Sequence, residues 1–211
     1  VILLAVIVQG VIGGLRVTDK STLLAIIHGV NGQLVFCLFI WMAAMTSATW
    51  KMVGAPSDCS TARSDRIMTG LLLGAMLIQL GFGAVYRHLI EIPDVNTTHV
   101  LYSHIVMAVI VLALIGHVAI RCALRHRDRP VLPALGQWMV AVVIAQLALG
   151  IGALILVSIM KRAPESPART TEVIVTTLHQ VNGAVLLGLA VLSVLWVRRI
   201  LRKSGTKQAA P

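Results

Sequence analysis

The sequence predicts an all-α polytopic membrane protein, made of antiparallel helical hairpins that form one complete four-helix bundle plus half of a second. Hydrophobic residues make up 57% of the 211-residue chain and charged residues only 12%, about half of the roughly 25% usual in a soluble domain. The apolar residues gather into six long runs. These runs are too long for strands and do not alternate as barrel strands do.

A helix needs about 20 residues to cross a bilayer. The first run, Val1–Leu15, is short and starts without an initiator Met, and it reads as a helix cut at its beginning, not as a signal peptide. The others are Thr22–Ala48, Ile67–Val85, Thr98–Ile120, Leu135–Met160 and Thr171–Val197. Residues 1–50 then form the second hairpin of an incomplete N-terminal bundle. Residues 51–66 form a linker, 67–200 a complete C-terminal bundle that binds a cofactor, and 201–211 a tail.

Charge in the connections orients the helices. One side collects Lys51, Arg63 and Arg66, then Arg121, Arg125, Arg127 and Arg129, then Arg198, Arg199, Arg202, Lys203 and Lys207, against Asp58, Asp65 and Asp128. The other side holds Arg16, Lys20, Arg87, Lys161, Arg162 and Arg169, nearly balanced by Asp19, Glu91, Asp94, Glu165 and Glu172. Basic loops stay in the cytoplasm, so the linker and the C-terminal tail are expected there. The net charge of +10 reflects these loops and not a nucleic-acid partner. The expected surroundings are lipid, in a plasma membrane of the bacterial type. Cys37, Cys59 and Cys122 form no disulfide framework.

Three histidines stand inside the apolar runs, each shortly after the more neutral end: His28 in Ile26-Ile27-His28-Gly29-Val30-Asn31-Gly32, His104 in Leu101-Tyr102-Ser103-His104, and His179 in Thr177-Leu178-His179-Gln180-Val181-Asn182-Gly183. Ionisable residues within a membrane are functional by default. At 1.5 Å per residue each histidine lies roughly 10 Å deep. The residue four positions on, which shares the same helix face, is Gly32, Ala108 or Gly183, leaving a slot for a flat ring. The pattern suggests axial haem ligands. Neighbouring helices 8–10 Å apart put diagonal helices roughly 11–14 Å apart, enough for an imidazole–iron–imidazole axis between His104 and His179.

His99 is nearer the surface on another face, His117 is turned away from the face of His104, and His126 falls in a basic loop where solvation is expected. Arg16, Arg87, His88 and Arg169 at the neutral rim are candidates for propionate contacts. Asn31 and Asn182 could hydrogen-bond across helices or orient a histidine. The glycine pairs lie within helices with no preceding strand, so they are not nucleotide loops.

The hairpins repeat. Each first helix carries Gln-x-x-x-Gly (Gln9–Gly13, Gln79–Gly83, Gln146–Gly150) and each second helix carries the histidine. Hairpins one and three are closest, sharing His-x-Val-Asn-Gly.

The segments Val8-Gln9-Gly10-Val11-Ile12-Gly13-Gly14, Gln79-Leu80-Gly81-Phe82-Gly83-Ala84, Gln146-Leu147-Ala148-Leu149-Gly150-Ile151-Gly152 and Leu178-His179-Gln180 resemble the haem A synthase family, two fused four-helix bundles with a haem site in each. The chain matches the last six of eight helices, as if truncated at its N-terminus. The resemblance implies an oxidoreductase that converts the C8 methyl of haem O to a formyl group, giving haem A for cytochrome oxidase assembly. It implies haem b at the positions of His104 and His179, and haem O or haem A, as substrate or product, at the position of His28. It also implies a haem O synthase or oxidase-assembly protein as partner. The chain departs from the family in having His104-Ile105 where His-Arg is usual, and in lacking the outer-loop cysteine pairs. The family's reactive acidic residue belongs to the hairpin not present, so the catalytic residue is unknown and this chain alone is expected to be inactive. The alternatives are a bis-histidine membrane cytochrome of the b type, carrying electrons without modifying haem, and a transporter-like bundle with histidine proton relays.

Overall fold

The structure is a computed structural model that describes residues 1–90, 92–162 and 168–203. Glu91, Glu165 and Lys207 lie outside the described residues, as do the side chains of Lys161 and Arg162 and most of the expected tail. The helices are α1 (Ile2–Thr18), α2 (Thr22–Thr46), α3 (Ala48–Met52), α4 (Ala62–Leu89), α5 (Thr98–Ile120), α6 (Leu132–Arg162) and α7 (Arg169–Ile200); β1 (Ser57–Cys59) and β2 (Leu201–Lys203) are short strands. Backbone groups in lipid must be satisfied within the chain, and a helix does this locally. Five helices are long and apolar enough to cross a membrane: α2, α4, α5 with its continuation to Arg125, α6 and α7. α1 is equally apolar but only 17 residues long. The chain is thus an all-α polytopic membrane protein.

Turns are set by specific residues. Lys20, at φ 46°, makes the reversal between α1 and α2, and Ser21 then caps α2, its hydroxyl accepting from Leu24 N at 3.3 Å. Ser47 ends α2 and caps α3 by accepting from Trp50 N at 3.1 Å. α5 ends in a π-helical turn, Arg121–Arg125, whose wider ring lets His126 N reach Arg121 O at 3.0 Å.

α1 packs on α2, α4 on α5 and α6 on α7, giving three hairpins. α5 also meets α6, and α4 meets α7, so α4 to α7 close into a ring with α5 and α7 on opposite sides; α2 docks on α4 and α7. Large apolar residues such as Val109, Ile144 and Ile151 point outward, as expected where lipid is the solvent. Lipid tails are as apolar as leucine, so helices there associate through close packing of small residues.

That packing is concentrated in one half of the molecule. Among the described residues of α4 to α7, every buried one lies toward the end that carries Arg63, Arg125 and Arg199: Ala62 to Met76, Val111 to Ala119, Leu132 to Val143, and Leu186 to Ile200. Leu72, Ile115, Leu132 and Met139 fill its centre. Gly136 is the closest approach, because a Cβ there would stand 2.6 Å from Ala119 O and 2.9 Å from Ala123 N.

The same basic end is tied by polar contacts that the sequence did not suggest. β1 and β2 pair in parallel, Ser57 opposite Leu201, joining the segment before α4 to the end of α7. Arg202 binds Asp58 at 2.7 Å, and the guanidinium holds that carboxyl below the usual carboxylate range. Arg199 lies over the Trp50 ring and donates to Val53 O at 2.7 Å, while Trp50 stacks on Trp196. The stretch expected as a linker therefore contains the end of α3, all of β1 and the first turn of α4. His126, expected in a solvated loop, is only 5% exposed, because the π-turn redirects the chain inward.

Gly136→Ala should weaken the α5–α6 contact, because the methyl meets backbone that cannot rotate away. Overpacking of this kind costs about 1–3 kcal/mol. Gly74→Ala, with nothing within 4 Å of its Cβ, should be neutral or slightly stabilising. Thermal unfolding of the two variants in detergent checks the difference.

Candidate functional site

At the end opposite the basic cluster, the three hairpins build one constellation three times. In each, a glutamine on the first helix reaches a histidine on the second. Gln9 Nε2 is 3.4 Å from His28 Nε2, Gln79 Nε2 is 3.3 Å from His104 Nε2, and Gln146 Nε2 is 3.3 Å from His179 Nε2. One turn beyond each glutamine the helix carries glycine, where the imidazole edge comes in. An ideal Cβ on Gly13 would lie 2.8 Å from His28 Cε1, on Gly83 3.1 Å from His104 Cε1, and on Gly150 3.0 Å from His179 Cε1. The recurring Gln-x-x-x-Gly is therefore a histidine seat: the amide contacts a ring nitrogen, and the missing side chain admits the ring.

The small residues after the histidines have a different use from the one expected. A Cβ on Gly32 would lie 2.9 Å from Gln9 Nε2, and one on Gly183 3.2 Å from Gln146 Nε2. The slot expected to receive a flat ring holds the glutamine amide in both hairpins.

The asparagines fix the direction of the amides. Asn31 Nδ2 donates to Gln9 Oε1 at 2.7 Å, and Asn182 Nδ2 donates to Gln146 Oε1 at 2.8 Å and to Val142 O at 3.0 Å. With its oxygen engaged, each glutamine turns its NH2 group to the histidine. The facing Nε2 must then accept, and the imidazole proton sits on Nδ1. A neutral imidazole with a free lone pair on Nε2 is a metal-binding form. The middle hairpin differs. Met107 stands where the asparagine would be, and Gln79 Oε1 is buried without a partner. Nothing there fixes the amide, so His104 is free to take either tautomer.

The structure brings two of the three histidines together. The His104 and His179 rings are 6.5 Å apart between centroids, at an interplanar angle of 70°. Imidazoles bound at about 2 Å on opposite sides of one metal ion place their ring centres roughly 6 Å apart. The pair lies in the half of the ring that holds none of the buried core, although the Nδ1 atoms of His28, His104 and His179 are themselves buried and unpartnered. Two imidazoles this close, edge to face in an apolar half, would suit a planar metal-bearing ring once Gln79 and Gln146 swing off the Nε2 atoms and the rings turn those atoms toward each other. His28 is not brought to this pair; its contacts are to Gln9 and Gly13 of its own hairpin.

The other candidates lie as follows. Arg16 is half-buried in the last turn of α1, His88 is half-buried and Arg87 exposed at the end of α4, and Arg169 is exposed at the start of α7. All four stand at the histidine end of their helices. His99 and His117 are exposed.

A second polar cluster sits at the basic end, where sequence reading had placed only solvated charge. Asp65 is 4% exposed on the first turn of α4. Its Oδ1 takes the Arg121 guanidinium, and its Oδ2 meets His126 Nε2 at 3.1 Å and accepts from Thr61 Oγ1 at 2.9 Å. The signal available in the sequence was a lone acid among basic residues at the start of an apolar run.

The tautomers are open to measurement. With ¹⁵N-labelled histidine, nuclear magnetic resonance of the protein without added cofactor should show His28 and His179 with the proton on Nδ1. Asn182→Leu should release His179 from that single form and leave His28 unchanged, at the cost of about 1–3 kcal/mol for the stranded glutamine oxygen.

No family model, no curated protein and no solved structure matches this chain.

Proposed function

We propose that this chain is an integral-membrane haem protein in which His104 and His179 are the two axial ligands of one haem. The observation that carries this reading is the facing ring pair, 6.5 Å apart, supplied by helices on opposite sides of the α4–α7 ring. When bound, haem b would supply a low-spin iron that cycles between two oxidation states. His104 and His179 provide its nitrogen ligands. Gln146 and Asn182 hold His179 in the tautomer whose Nε2 is an acceptor, and Gln146 would leave that nitrogen as the iron took its lone pair. The apolar helices keep water from the site and with axial ligation set its potential. The Arg16, Arg87 and Arg169 guanidinium groups and His88 at the same end are the candidates for the propionates.

His28 repeats the His179 set, with Gln9 for Gln146, Gly13 for Gly150, Asn31 for Asn182 and Gly32 for Gly183. We assign it to a second haem site of the same chemistry. Residues 1–50 contain no other histidine, so its opposing ligand comes from elsewhere. On the resemblance to haem A synthases, this second site takes haem O and the activity is oxidation of its C8 methyl to the formyl group of haem A, supporting oxidase assembly beside a haem O synthase or an assembly protein. Two imidazole ligands on one iron would leave it no open position for chemistry, so the pair itself favours the second reading, a b-type electron carrier. The charge asymmetry supports placing the basic end, with β1 and β2, on the cytoplasmic side of the membrane.

Absorption and electron paramagnetic resonance spectra test the ligands. The purified chain should bind low-spin haem, and His104→Ala or His179→Ala should abolish that signal, while His28→Ala and His117→Ala keep most of it. Loss on His28→Ala with retention on His104→Ala would mean that His28 and His179 are the partners. Pigment extraction separates the two readings when this chain is joined to the reactive hairpin of a haem A synthase: a synthase then yields haem A from haem O, an electron carrier yields none, and this chain alone is expected to yield none. Reporter fusions after Arg125 and Arg202 should read cytoplasmic and one after Asp94 external; a cytoplasmic signal at Asp94 refutes the orientation.

A further inference from the structure

Cys59, Asp65 and His126 meet at the basic end, far along the helices from the histidine pair. One ligand atom from each, Sγ, a carboxylate oxygen and an imidazole nitrogen, lie within 4.8 Å of one another. They come from three elements: Cys59 from β1, Asp65 from the first turn of α4, and His126 from the residue that the π-turn directs inward. Asp65 and His126 are 4% and 5% exposed. We infer that these three residues bind a zinc-type divalent cation that staples β1, α4 and the α5–α6 connection together.

The chemistry of the donors selects the ion. A thiolate with an imidazole suits zinc and similar borderline metals, whereas calcium and magnesium take oxygen. The spacing is suitable as well. His126 Nε2 and Asp65 Oδ2 are 3.1 Å apart, and two light-atom ligands of one tetrahedral zinc at about 2.0–2.1 Å lie roughly 3.3 Å from each other. Thr61 holds the set in register, its hydroxyl 2.9 Å from Asp65 Oδ2 and 3.3 Å from Cys59 Sγ. Arg121 engages the other carboxylate oxygen, Oδ1, which orients Asp65 and leaves Oδ2 for the ion.

Access and charge are also provided for. A cavity of about 450 Å³ opens beside Cys59 and His126 and is lined further by Arg125, Asp128 and Arg129. It gives an ion a route in and room for water as a fourth ligand. Binding releases the Cys59 thiol proton to solvent, and the proton that His126 Nε2 donates to Asp65 Oδ2 moves through solvent to Nδ1, freeing Nε2 to ligate. Thiolate and carboxylate then neutralise the dication, and the Arg121, Arg125 and Arg129 guanidinium groups remain as positive charge around it.

The test is zinc protection of one thiol. The full chain in detergent is treated with iodoacetamide, with zinc ion or with a chelator, and Cys59 labelling is followed by peptide mass spectrometry. Zinc should slow Cys59 at least tenfold, and the chelator should restore the rate. In His126→Ala the protection should vanish while Cys122, 2% exposed, stays unlabelled as a sign of intact packing. Should that variant loosen, Cys59→Ala provides the second reading: zinc should raise the thermal midpoint of the parent chain and not of this variant. Equal Cys59 labelling with and without zinc overturns the inference. So does protection that survives in a folded His126→Ala, or an equal midpoint rise in Cys59→Ala.

Discussion

The structure depends on how closely helix backbones can approach when burial of apolar groups gains nothing. In lipid, a leucine facing a neighbour is hardly better placed than a leucine facing an acyl chain, so tight contact between small residues does the joining. The seam at Gly136, against Ala119 and Ala123, shows this. These contacts, with the buried Leu72, Ile115 and Met139, lock the basic half of the α4–α7 ring. Because that half is locked, the other half can be left loosely packed without loss of the fold.

The loose half is where glycine takes on a second task. At Gly13, Gly83 and Gly150 the missing side chain admits an imidazole from the partner helix and not the helix itself. The histidine enters beside a glutamine from the same first helix, so each hairpin makes its own seat before hairpins meet. Two seats facing across the ring then give a pair of imidazoles without any loop contributing. Rigid elements hold such sites more accurately than loops do. The middle seat breaks the pattern, with Met107 in place of the asparagine and Gln79 Oε1 left unpartnered. The two imidazoles of the pair are therefore held with different firmness, His179 in one tautomer and His104 in either.

At the basic end a different device is used. Asp65 and Arg121 bring charge into a buried setting, and the carboxylate is shared among three donors, Arg121, His126 and Thr61. A buried carboxylate is stable only when paired and hydrogen-bonded. The two-stranded pairing of β1 with β2 adds a covalently distant tie between the start of α4 and the end of α7.

The sequence by itself determined the fold class, the six helical runs and the three membrane histidines. Each of these rests on local facts, run length, composition and a period of 3.6, that need no neighbour to be read. α5 begins and ends where the apolar run does, and α2 differs only at its last turn. The Gln-x-x-x-Gly repeat was legible too, but not its use. That a glutamine amide fills the slot beside Gly32 and Gly183, and that Asn31 and Asn182 orient the amide and not the imidazole directly, are relations between helices that no single helix encodes. The sequence set His104 opposite His179, but the tertiary structure alone decided how close the two rings come and that His28 is seated by Gln9 and Gly13 of its own hairpin. It alone decided, too, that His126 is buried. A basic loop reads as solvated because charge is costly to bury. The π-turn after Ile120 carries His126 to Asp65, 61 residues away in sequence, and that pairing removes the cost.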